Sequence, residues 1–171
     1  MIILETDRLL LRYMLPEDIH PLVDLWTDAG VTCFMGGPRE LQSLTQNLTA
    51  TANNPLAEAY DLWPLIEKTT GQVIGHCGLL EKEVDGQQEI ELVYVLAKAA
   101  WGKGFATEIS LALRDYGFHQ KGLSRLIALI EPENAASERV AVKAGMRLEK
   151  EVMRPDGAER KVYVVHPSTN S

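Results

Sequence analysis

The chain has 171 residues, of which 46% are hydrophobic, and its formal net charge at pH 7 is −7. This length and apolar content favour one domain with one core over residues 1–171, with residues 166–171 as a frayed tail. The acidic balance argues against nucleic acid as a partner. No stretch approaches the roughly 18 apolar residues of a membrane span, and the two cysteines are too few for a disulfide framework. We therefore expect a cytoplasmic protein.

The N-terminal part of the chain carries strand and helix signals in turn. Ile3 to Met14 alternates well enough for a strand, and Pro16 to Thr27 has the apolar spacing of an amphipathic helix. Gly36-Gly37-Pro38 predicts a turn or mobile loop within residues 31–39, and a second helix is predicted through about Ala52.

Three apolar runs follow, joined by the short turns Thr70-Gly71 and Asp85-Gly86. Short turns of this composition suit hairpins, so the three runs predict an antiparallel meander. The runs cover residues 60–68, 73–84 and 89–96.

The last third of the chain predicts a strand–helix–strand unit, a further helix and a hairpin. Apolar spacing over residues 106–116 predicts a helix, and residues 125–130 form a β-rich run. Asn134 is a good N-cap for the next helix, and Gly145 suits its left-handed end. The final hairpin joins residues 147–153 to residues 160–165 through Pro155-Asp156-Gly157.

The segment WGKGFAT, Trp101 to Thr107, lies between a predicted strand and a predicted helix. Glycines at 102 and 104 allow a ligand to approach the backbone, and a helix N-terminus offers free N–H donors, so the segment predicts a diphosphate site. Lys103 adds a cation there, and Thr107 adds a hydroxyl. The alternative is a tight strand-to-helix connection that needs glycine for its conformation only.

Two other nucleotide-binding motifs partly match this segment. A P-loop would place Ser or Thr after the lysine, but Gly104 follows Lys103, so this motif is excluded. A dinucleotide fingerprint from Gly102 to Thr107, with Glu131 as the ribose acceptor, stays as an alternative, although the third glycine and a repeated strand–helix–strand half are missing.

Several segments in this order resemble the GCN5-related N-acetyltransferases (GNAT). They are IELVYVL at residues 90–96, WGKGFATE at 101–108 and IEPENAASERVAVKAGM at 130–146. ETDRLLLR at 5–12, PED at 16–18 and VIGHCGLL at 73–80 are similar to the RimJ/RimL-type branch, the ribosomal-protein N-terminal acetyltransferases. The resemblance covers nearly the whole chain. It implies an α/β fold of the α+β type, with a central, mostly antiparallel mixed sheet, splayed fourth and fifth strands and about four flanking helices.

The resemblance also implies acetyl-CoA as co-substrate. It assigns the pyrophosphate to the WGKGFAT backbone, the pantetheine arm to the strand at residues 93–95, and the region of the thiol to Asn134 and Ser137. Two positions depart from the family, because Trp101 replaces the usual Gln or Arg and Ala141 replaces a Tyr that often protonates the leaving thiolate. The implied cofactor-binding residues are Val93, Tyr94, Val95, Trp101, Gly102, Lys103, Gly104, Ala106, Thr107, Asn134, Ser137 and Arg139.

Acyl transfer to an amine needs a base, a donor to the carbonyl and a donor to the leaving sulfur. Glu91 is the base candidate, because period two places it on the same strand face as Val93 and Val95. An exposed strand carboxylate is the alternative for Glu91, and Glu131 and Glu133 are weaker candidates with turn roles. A backbone N–H near Val93 is the candidate donor to the carbonyl.

Ser137 is the candidate donor to the leaving sulfur, and an ordinary helix-start serine is its alternative. Arg139 and Lys143 are four residues apart on the predicted helix and are close enough to meet a terminal phosphate, although solvated surface charge is an alternative for Lys143. The four histidines have no metal-binding spacing.

We therefore predict an acetyl-CoA-dependent N-acetyltransferase whose acceptor amine attacks directly in a ternary complex. The acceptor is a protein N-terminus or a small amine, bound against Phe34, Met35 and Gly36. A catalytically silent acyl-CoA-binding module is the main alternative, because the usual tyrosine is missing. Neither nucleic acid nor membrane is expected as a partner, and a homodimer stays open.

Overall fold

The computed structural model describes residues 1–168 of the chain, in which eight strands form one sheet. The strands are β1 Ile2–Glu5, β2 Leu9–Arg12, β3 Leu62–Glu67, β4 Val73–Val84, β5 Gln87–Leu96, β6 Leu126–Ile130, β7 Arg147–Met153 and β8 Glu159–Val165. The α-helices are α1 Ile19–Thr27, α2 Ala29–Thr32, α3 Leu41–Asn53, α4 Phe105–His119 and α5 Ala135–Lys143.

The sheet is antiparallel except at one pair of strands. Its order is β1-β2-β3-β4-β5-β6-β8-β7, and β5 and β6 are the parallel pair, connected through α4. The predicted meander, the strand–helix–strand unit and the last hairpin are confirmed, and β8 lies between β6 and β7. Residues 166–168 lack helix and strand, whereas the remaining part of the predicted frayed tail, residues 169–171, lies outside the described residues.

The prediction of one strand over residues 3–14 is wrong, because the chain reverses inside it. The Thr6 N–H donates to the Leu9 carbonyl at 2.9 Å, and the Thr6 hydroxyl accepts from the Leu9 N–H at 3.0 Å. These two bonds close a turn between β1 and β2. The predicted fourth and fifth strands are therefore β5 and β6.

A short fifth helix, α2, joins the four predicted ones. The Asp28 carboxylate accepts hydrogen bonds from the Gly30 and Val31 N–H groups, at 2.8 and 3.2 Å, and so caps this helix. The loop predicted within residues 31–39 overlaps the end of this helix. Aspartate is one of the preferred N-cap residues, so the signal was present in the sequence.

The gap between β5 and β6 positions the site. The two strands pair only where Glu91 lies opposite Ile127, whereas β5 stays paired with β4 as far as Leu96. The Ala97 N–H donates to the Ile74 carbonyl at 2.8 Å, and backbone groups alternate along a strand. The backbone N–H and C=O of Tyr94 therefore face the gap, whereas those of Val93 and Val95 face β4. The predicted splay is confirmed.

Each face of the sheet is covered by helices. On one face, α4 packs through the fully buried Ile109 and Leu113, together with Tyr94 of β5. On the other face, Val93 and Val95 pack against Leu22 of α1 and neighbouring side chains. Side chains of β5 therefore reach both cores, and a ligand in the gap would contact groups from both faces.

Candidate active site

A cavity of about 1060 Å³ opens at the gap between β5 and β6. It is lined from one side by the N-terminal ends of α4 and α5, and from the other by the loop after α2 and by the turn between β7 and β8. The predicted residues Glu91, Val93, Tyr94, Val95 and Ser137 all line it. The splay thus brings together residues that lie far apart in the sequence.

The predicted diphosphate loop forms an unpaired row of backbone donors. Gly102 and Gly104 adopt left-handed conformations, with φ of +75° and +81°. Within the described residues, the N–H groups from Gly102 to Thr107 donate to no acceptor, and they surround the N-terminus of α4. Unpaired N–H groups at a helix N-terminus form an anion-binding site, because the helix dipole adds partial positive charge there.

The side chains of Lys103 and Trp101, two residues expected to bind the cofactor, have different surroundings. Lys103 does not line the cavity, so its ammonium group is not part of the lining that the structure describes. Trp101, which is half exposed, donates from Nε1 to the Leu96 carbonyl at 2.9 Å. This bond ties the loop to the end of β5. The tryptophan at this family position therefore has a structural role.

Arg8, which the sequence analysis did not single out, braces the loop from outside. Its Nη1 donates to the Lys103 carbonyl at 2.8 Å, and its guanidinium lies 4.4 Å from the centre of the Phe105 ring. Its Nε donates to Glu108 Oε2 at 2.7 Å, and the Thr6 hydroxyl donates to Oε1 of the same carboxylate at 2.6 Å. Partial burial alone would raise the pKa of Glu108, but these hydrogen bonds hold it below its usual value.

Glu91 is buried on the strand beside the gap, with 9% of its surface exposed. Its Oε2 accepts from the Leu129 N–H at 3.2 Å, and Lys82 Nζ lies 3.9 Å from Oε1. Burial raises the pKa of Glu91, and the positive charge of Lys82 opposes this only in part. The alternative of an exposed strand carboxylate is therefore wrong.

Glu131 and Glu133 support the turn before α5. Glu131 Oε2 accepts from the Glu133 N–H at 3.2 Å, and the Glu131 carbonyl accepts from the Asn134 N–H at 2.9 Å. These contacts agree with the turn roles given to the two glutamates in the sequence analysis.

Ser137 lies at the centre of a small hydrogen-bond network. Its Oγ accepts from Asn134 Nδ2 at 2.9 Å and from the Tyr94 hydroxyl at 3.1 Å. Asn134 caps α5 as predicted, because its Oδ1 accepts from the Ser137 N–H at 3.1 Å. With both acceptor positions used, the Ser137 hydroxyl proton is free to donate into the cavity.

The Tyr94 side chain is a part of this network that the sequence analysis missed. Tyr94 was expected to act through its backbone, yet its hydroxyl reaches Ser137, 43 residues further along the chain. Burial raises the pKa of Tyr94, which keeps the phenol protonated and able to donate. Tyr94 lines the same cavity as Ala141, which stands at the position where the family often has its own tyrosine.

Residues of α4, α5 and the loop after α2 also line the cavity. Ser110 of α4 is buried, and its hydroxyl has no partner within the described residues, so a ligand could satisfy it. Phe34 and Met35, for which an acceptor-binding role stays a prediction, line the cavity. Gly36 is outside the lining and forms the adjoining turn with φ of +90°. Arg139 and Lys143 line the cavity along α5.

His76 and Cys77 are both buried in the cores of the protein. The buried His76 accepts from Trp26 Nε1 at 3.0 Å, and burial lowers its pKa to about 4. Cys77 points to the opposite core, where burial raises its pKa to about 12. Within residues 1–168, no group of three or more His, Cys, Asp and Glu could hold a metal ion, and no helix is long and apolar enough to cross a membrane.

The chain matches the acetyltransferase (GNAT) domain family over residues 8–147. The uncharacterized protein YkkB from Bacillus subtilis strain 168 is 33% identical over 152 residues, which cover 88% of each protein. The uncharacterized N-acetyltransferase p20 from Bacillus licheniformis is 38% identical over 138 residues, which cover 78% of this chain and 76% of p20.

Solved structures show the same fold. A crystal structure of an acetyltransferase from Agrobacterium tumefaciens strain C58 aligns with a TM-score of 0.80 and 27% identity, over 96% of this chain and 94% of that one. A Vibrio cholerae spermidine N-acetyltransferase, in complex with CoA and spermine, aligns with a TM-score of 0.77 and 17% identity, over 94% of this chain and 96% of that one.

These matches decide between the fold alternatives. A dinucleotide-binding fold needs a mostly parallel sheet, whereas β5 and β6 form the one parallel pair among the described strands, so that alternative is wrong. The relative p20 is named as an N-acetyltransferase, and the family model covers most of the chain. The protein is therefore an acyltransferase that belongs to the GNAT acetyltransferase family.

Proposed function

We propose that the protein transfers an acetyl group from acetyl-CoA to a primary amine by direct attack in a ternary complex. The observation that carries this proposal is the row of unpaired N–H groups from Gly102 to Thr107 at one end of a cavity that also holds Glu91 and Ser137. Support also comes from the spermidine N-acetyltransferase of the same fold, which binds CoA.

The residues of the cavity fit coenzyme A. The pyrophosphate would accept from the N–H groups of the loop, and the backbone of Tyr94 would pair with the pantetheine as a neighbouring strand would. The unpartnered Ser110 hydroxyl would gain an acceptor, and Arg139 and Lys143 would meet the terminal phosphate. When bound, acetyl-CoA supplies an activated carbonyl whose leaving group is a thiolate.

Glu91 acts on the amine side of the reaction. Its carboxylate takes a proton from the acceptor ammonium, directly or through water, so that the neutral nitrogen forms the new N–C bond. A raised pKa brings this base closer to the pKa of the amine, which makes the proton transfer easier. The Tyr94 N–H is the backbone donor nearest to the predicted one at Val93, and it points into the gap where the carbonyl oxygen would lie.

Ser137 acts on the leaving-group side. As the C–S bond breaks, its hydroxyl donates to the developing thiolate while Tyr94 donates to the serine oxygen. Two consecutive donors stabilise a developing negative charge better than one, because each polarises the next. This pair would supply the acid that is missing at Ala141.

We further propose that the chain belongs to the RimJ/RimL-type branch. The segment ETDRLLLR supports this assignment, because its Thr6 and Arg8 brace Glu108 of the WGKGFATE segment and link the two motifs of the resemblance. The branch does not decide whether the acceptor is a protein N-terminus or a small amine. The cytoplasmic location stays a prediction.

The proposal is tested by thiol release from acetyl-CoA in the presence of a panel of amines and N-terminal peptides. We expect release that depends on the amine, together with acetylated product by mass spectrometry. Saturable binding of coenzyme A without release for any amine would instead indicate a silent binding module, and absence of binding would contradict the cofactor assignment.

Replacing Ser137 with Ala is expected to lower kcat about tenfold with little change in CoA affinity. The lost hydrogen bond is made mainly in the transition state, where the sulfur becomes charged. Steady-state kinetics and calorimetry measure the two quantities. A matched change, Tyr94 to Phe, should give a smaller loss of kcat, whereas wild-type turnover in Ser137→Ala would assign Ser137 to helix capping alone.

Replacing Arg8 with Met is expected to weaken CoA binding about five- to tenfold, because one or two hydrogen bonds that hold the loop are lost. Arg8 lies outside the cavity lining, so kcat at saturating acetyl-CoA should change little. Arg147→Met, a change on exposed β7, is the matched control. Equal CoA affinity in Arg8→Met and wild type would show that the loop keeps its shape without the brace.

A further inference from the structure

The cavity is cationic although the protein is acidic. Seven lysine and arginine side chains but only three carboxylates line it, in a chain of net charge −7. Three of the cations, Lys98, Arg139 and Lys143, belong to elements around the loop that would hold the phosphates. The other four, Arg39, Lys82, Arg154 and Arg160, belong to the part of the cavity around Glu91 and the loop after α2.

Two of these four cations, Lys82 and Arg160, share one sheet face with Glu91. Lys82 precedes the inward-pointing Val84 by two residues on β4, and Arg160 precedes Val162 by two on β8. Val84 and Val162 pack with Ile127, which lies directly opposite Glu91. The positive charges of Lys82, Arg154 and Arg160 all act on the Glu91 carboxylate.

The three arginines have unused capacity for an anion. Arg154 donates to the Glu83 carbonyl, Arg160 to the Glu159 carbonyl, and Arg39 to two carbonyls of its own loop, each at 2.7 or 2.8 Å. Within residues 1–168, none of the three forms a salt bridge with a carboxylate. Each guanidinium has five N–H donors arranged to bind a carboxylate or phosphate with two parallel hydrogen bonds.

Coenzyme A does not account for this group of cations. Its phosphates would lie at the N-terminus of α4, beyond Leu96, whereas Glu91 is five residues earlier on β5, about 17 Å away at the usual rise per residue. The cations around Glu91 therefore face the acceptor. An acceptor with a second ammonium group would meet repulsion here, whereas one with an anionic group would be attracted.

We propose that the acceptor is an amine that also carries an anionic group, with the amine directed at Glu91 and the anion held by Arg154 and Arg160. This inference rests on the proposed acetyl transfer. Phe34 and Met35, in the loop after α2, and Pro155 and Asp156, in the turn between β7 and β8, also line this cavity. The anionic group can be a carboxylate or a phosphate, because a guanidinium binds either one with two parallel hydrogen bonds.

The experiment compares amines that differ only in the group at the far end. Straight-chain amines with two to five methylenes are tested with a terminal carboxylate, phosphonate, carboxamide or ammonium, alongside α-amino acids and their amides, by amine-dependent thiol release. We expect kcat/KM for the best anionic amine to exceed that of its neutral amide about tenfold or more, the effect of one charge-assisted hydrogen bond. Comparing kcat/KM for the carboxylate and phosphonate amines shows which anion is preferred.

Variants connect this preference to the arginines. Arg154→Gln and Arg160→Gln should each lower kcat/KM for the anionic amine about tenfold and leave that for the neutral amide nearly unchanged. Arg147→Gln, outside the cavity, is the matched control and should change neither. Thermal unfolding checks that each variant is folded.

The outcomes separate this inference from the proposed function. Acetylation that favours the carboxamide or the diammonium amine, or that favours peptides regardless of their acidic residues, would overturn the inference while the acetyltransferase function stands. Absence of thiol release with every amine would instead overturn both.

Discussion

Glu91→Gln is expected to lower kcat/KM about 100-fold at neutral pH, the lower end of the usual contribution of a general base. The amide has nearly the same shape as the carboxylate and its oxygen can still accept from the Leu129 N–H, which is 3.2 Å away in the wild type. Burial penalises the charged form of Glu91, so a neutral amide should not reduce stability. The loss would therefore come from the chemistry.

The role of Glu91 as a base also predicts how kcat/KM changes with pH. Glu91 acts as a base only when ionised, and burial raises its pKa above the ordinary value, so wild-type kcat/KM should rise as pH increases through that raised pKa. Glu91→Gln should lack this limb and recover partly at alkaline pH, where more of the acceptor amine is neutral.

The control is Glu81→Gln, an exposed change on neighbouring β4 that should leave the rate and the profile unchanged. Rates are measured from about pH 6 to 10 with one acceptor. A profile of Glu91→Gln that is parallel to wild type at similar magnitude would show that solvent or another group accepts the proton.

Gly104→Val is expected to weaken binding of coenzyme A about 100-fold. Gly104 has φ of +81°, where a β-branched residue is strongly disfavoured, and its Cβ would lie 3.4 Å from the Arg8 guanidinium. A shift of this residue misaligns several N–H groups at once, and each hydrogen bond to a charged phosphate contributes roughly 1.5–3 kcal/mol. Isothermal calorimetry with coenzyme A measures the loss.

Gly71→Val separates backbone strain from the loss of the site. Gly71 has φ of +71° and open space around it, but it lies in the turn between β3 and β4. Both variants should lose a similar amount of stability, about 1–3 kcal/mol, whereas only Gly104→Val should lose CoA affinity. Unchanged affinity in folded Gly104→Val would remove the loop from the cofactor site.

Features that depend on a few neighbouring residues were accessible from the sequence. The WGKGFAT loop contains both of its left-handed glycines and the start of α4, so its backbone donors could be predicted from a single segment. The Asn134 cap and the left-handed Gly145 are equally local. The family resemblance added the sheet and its splay, because ordered motifs along the chain carry information that one motif lacks.

Features that join distant segments required the tertiary structure. Arg8 meets Glu108 across 100 residues, and Tyr94 meets Ser137 across 43. Such contacts depend on which strands are neighbours and on their register. The split of the predicted first strand was missed for a different reason, because Thr6 closes its turn with a side-chain bond that apolar alternation does not reveal.

The sequence by itself determined the family, the order of the main elements and the loop that would bind the diphosphate, because these follow from local patterns and from motifs in order. Only the tertiary structure decided the surroundings of Glu91. The insertion of β8 between β6 and β7 turns Arg160 to the sheet face that carries this carboxylate. The burial of Glu91 and the positive charge of Arg160 near it follow from that placement. The spacing of residues 91 and 160 along the chain predicts neither of them.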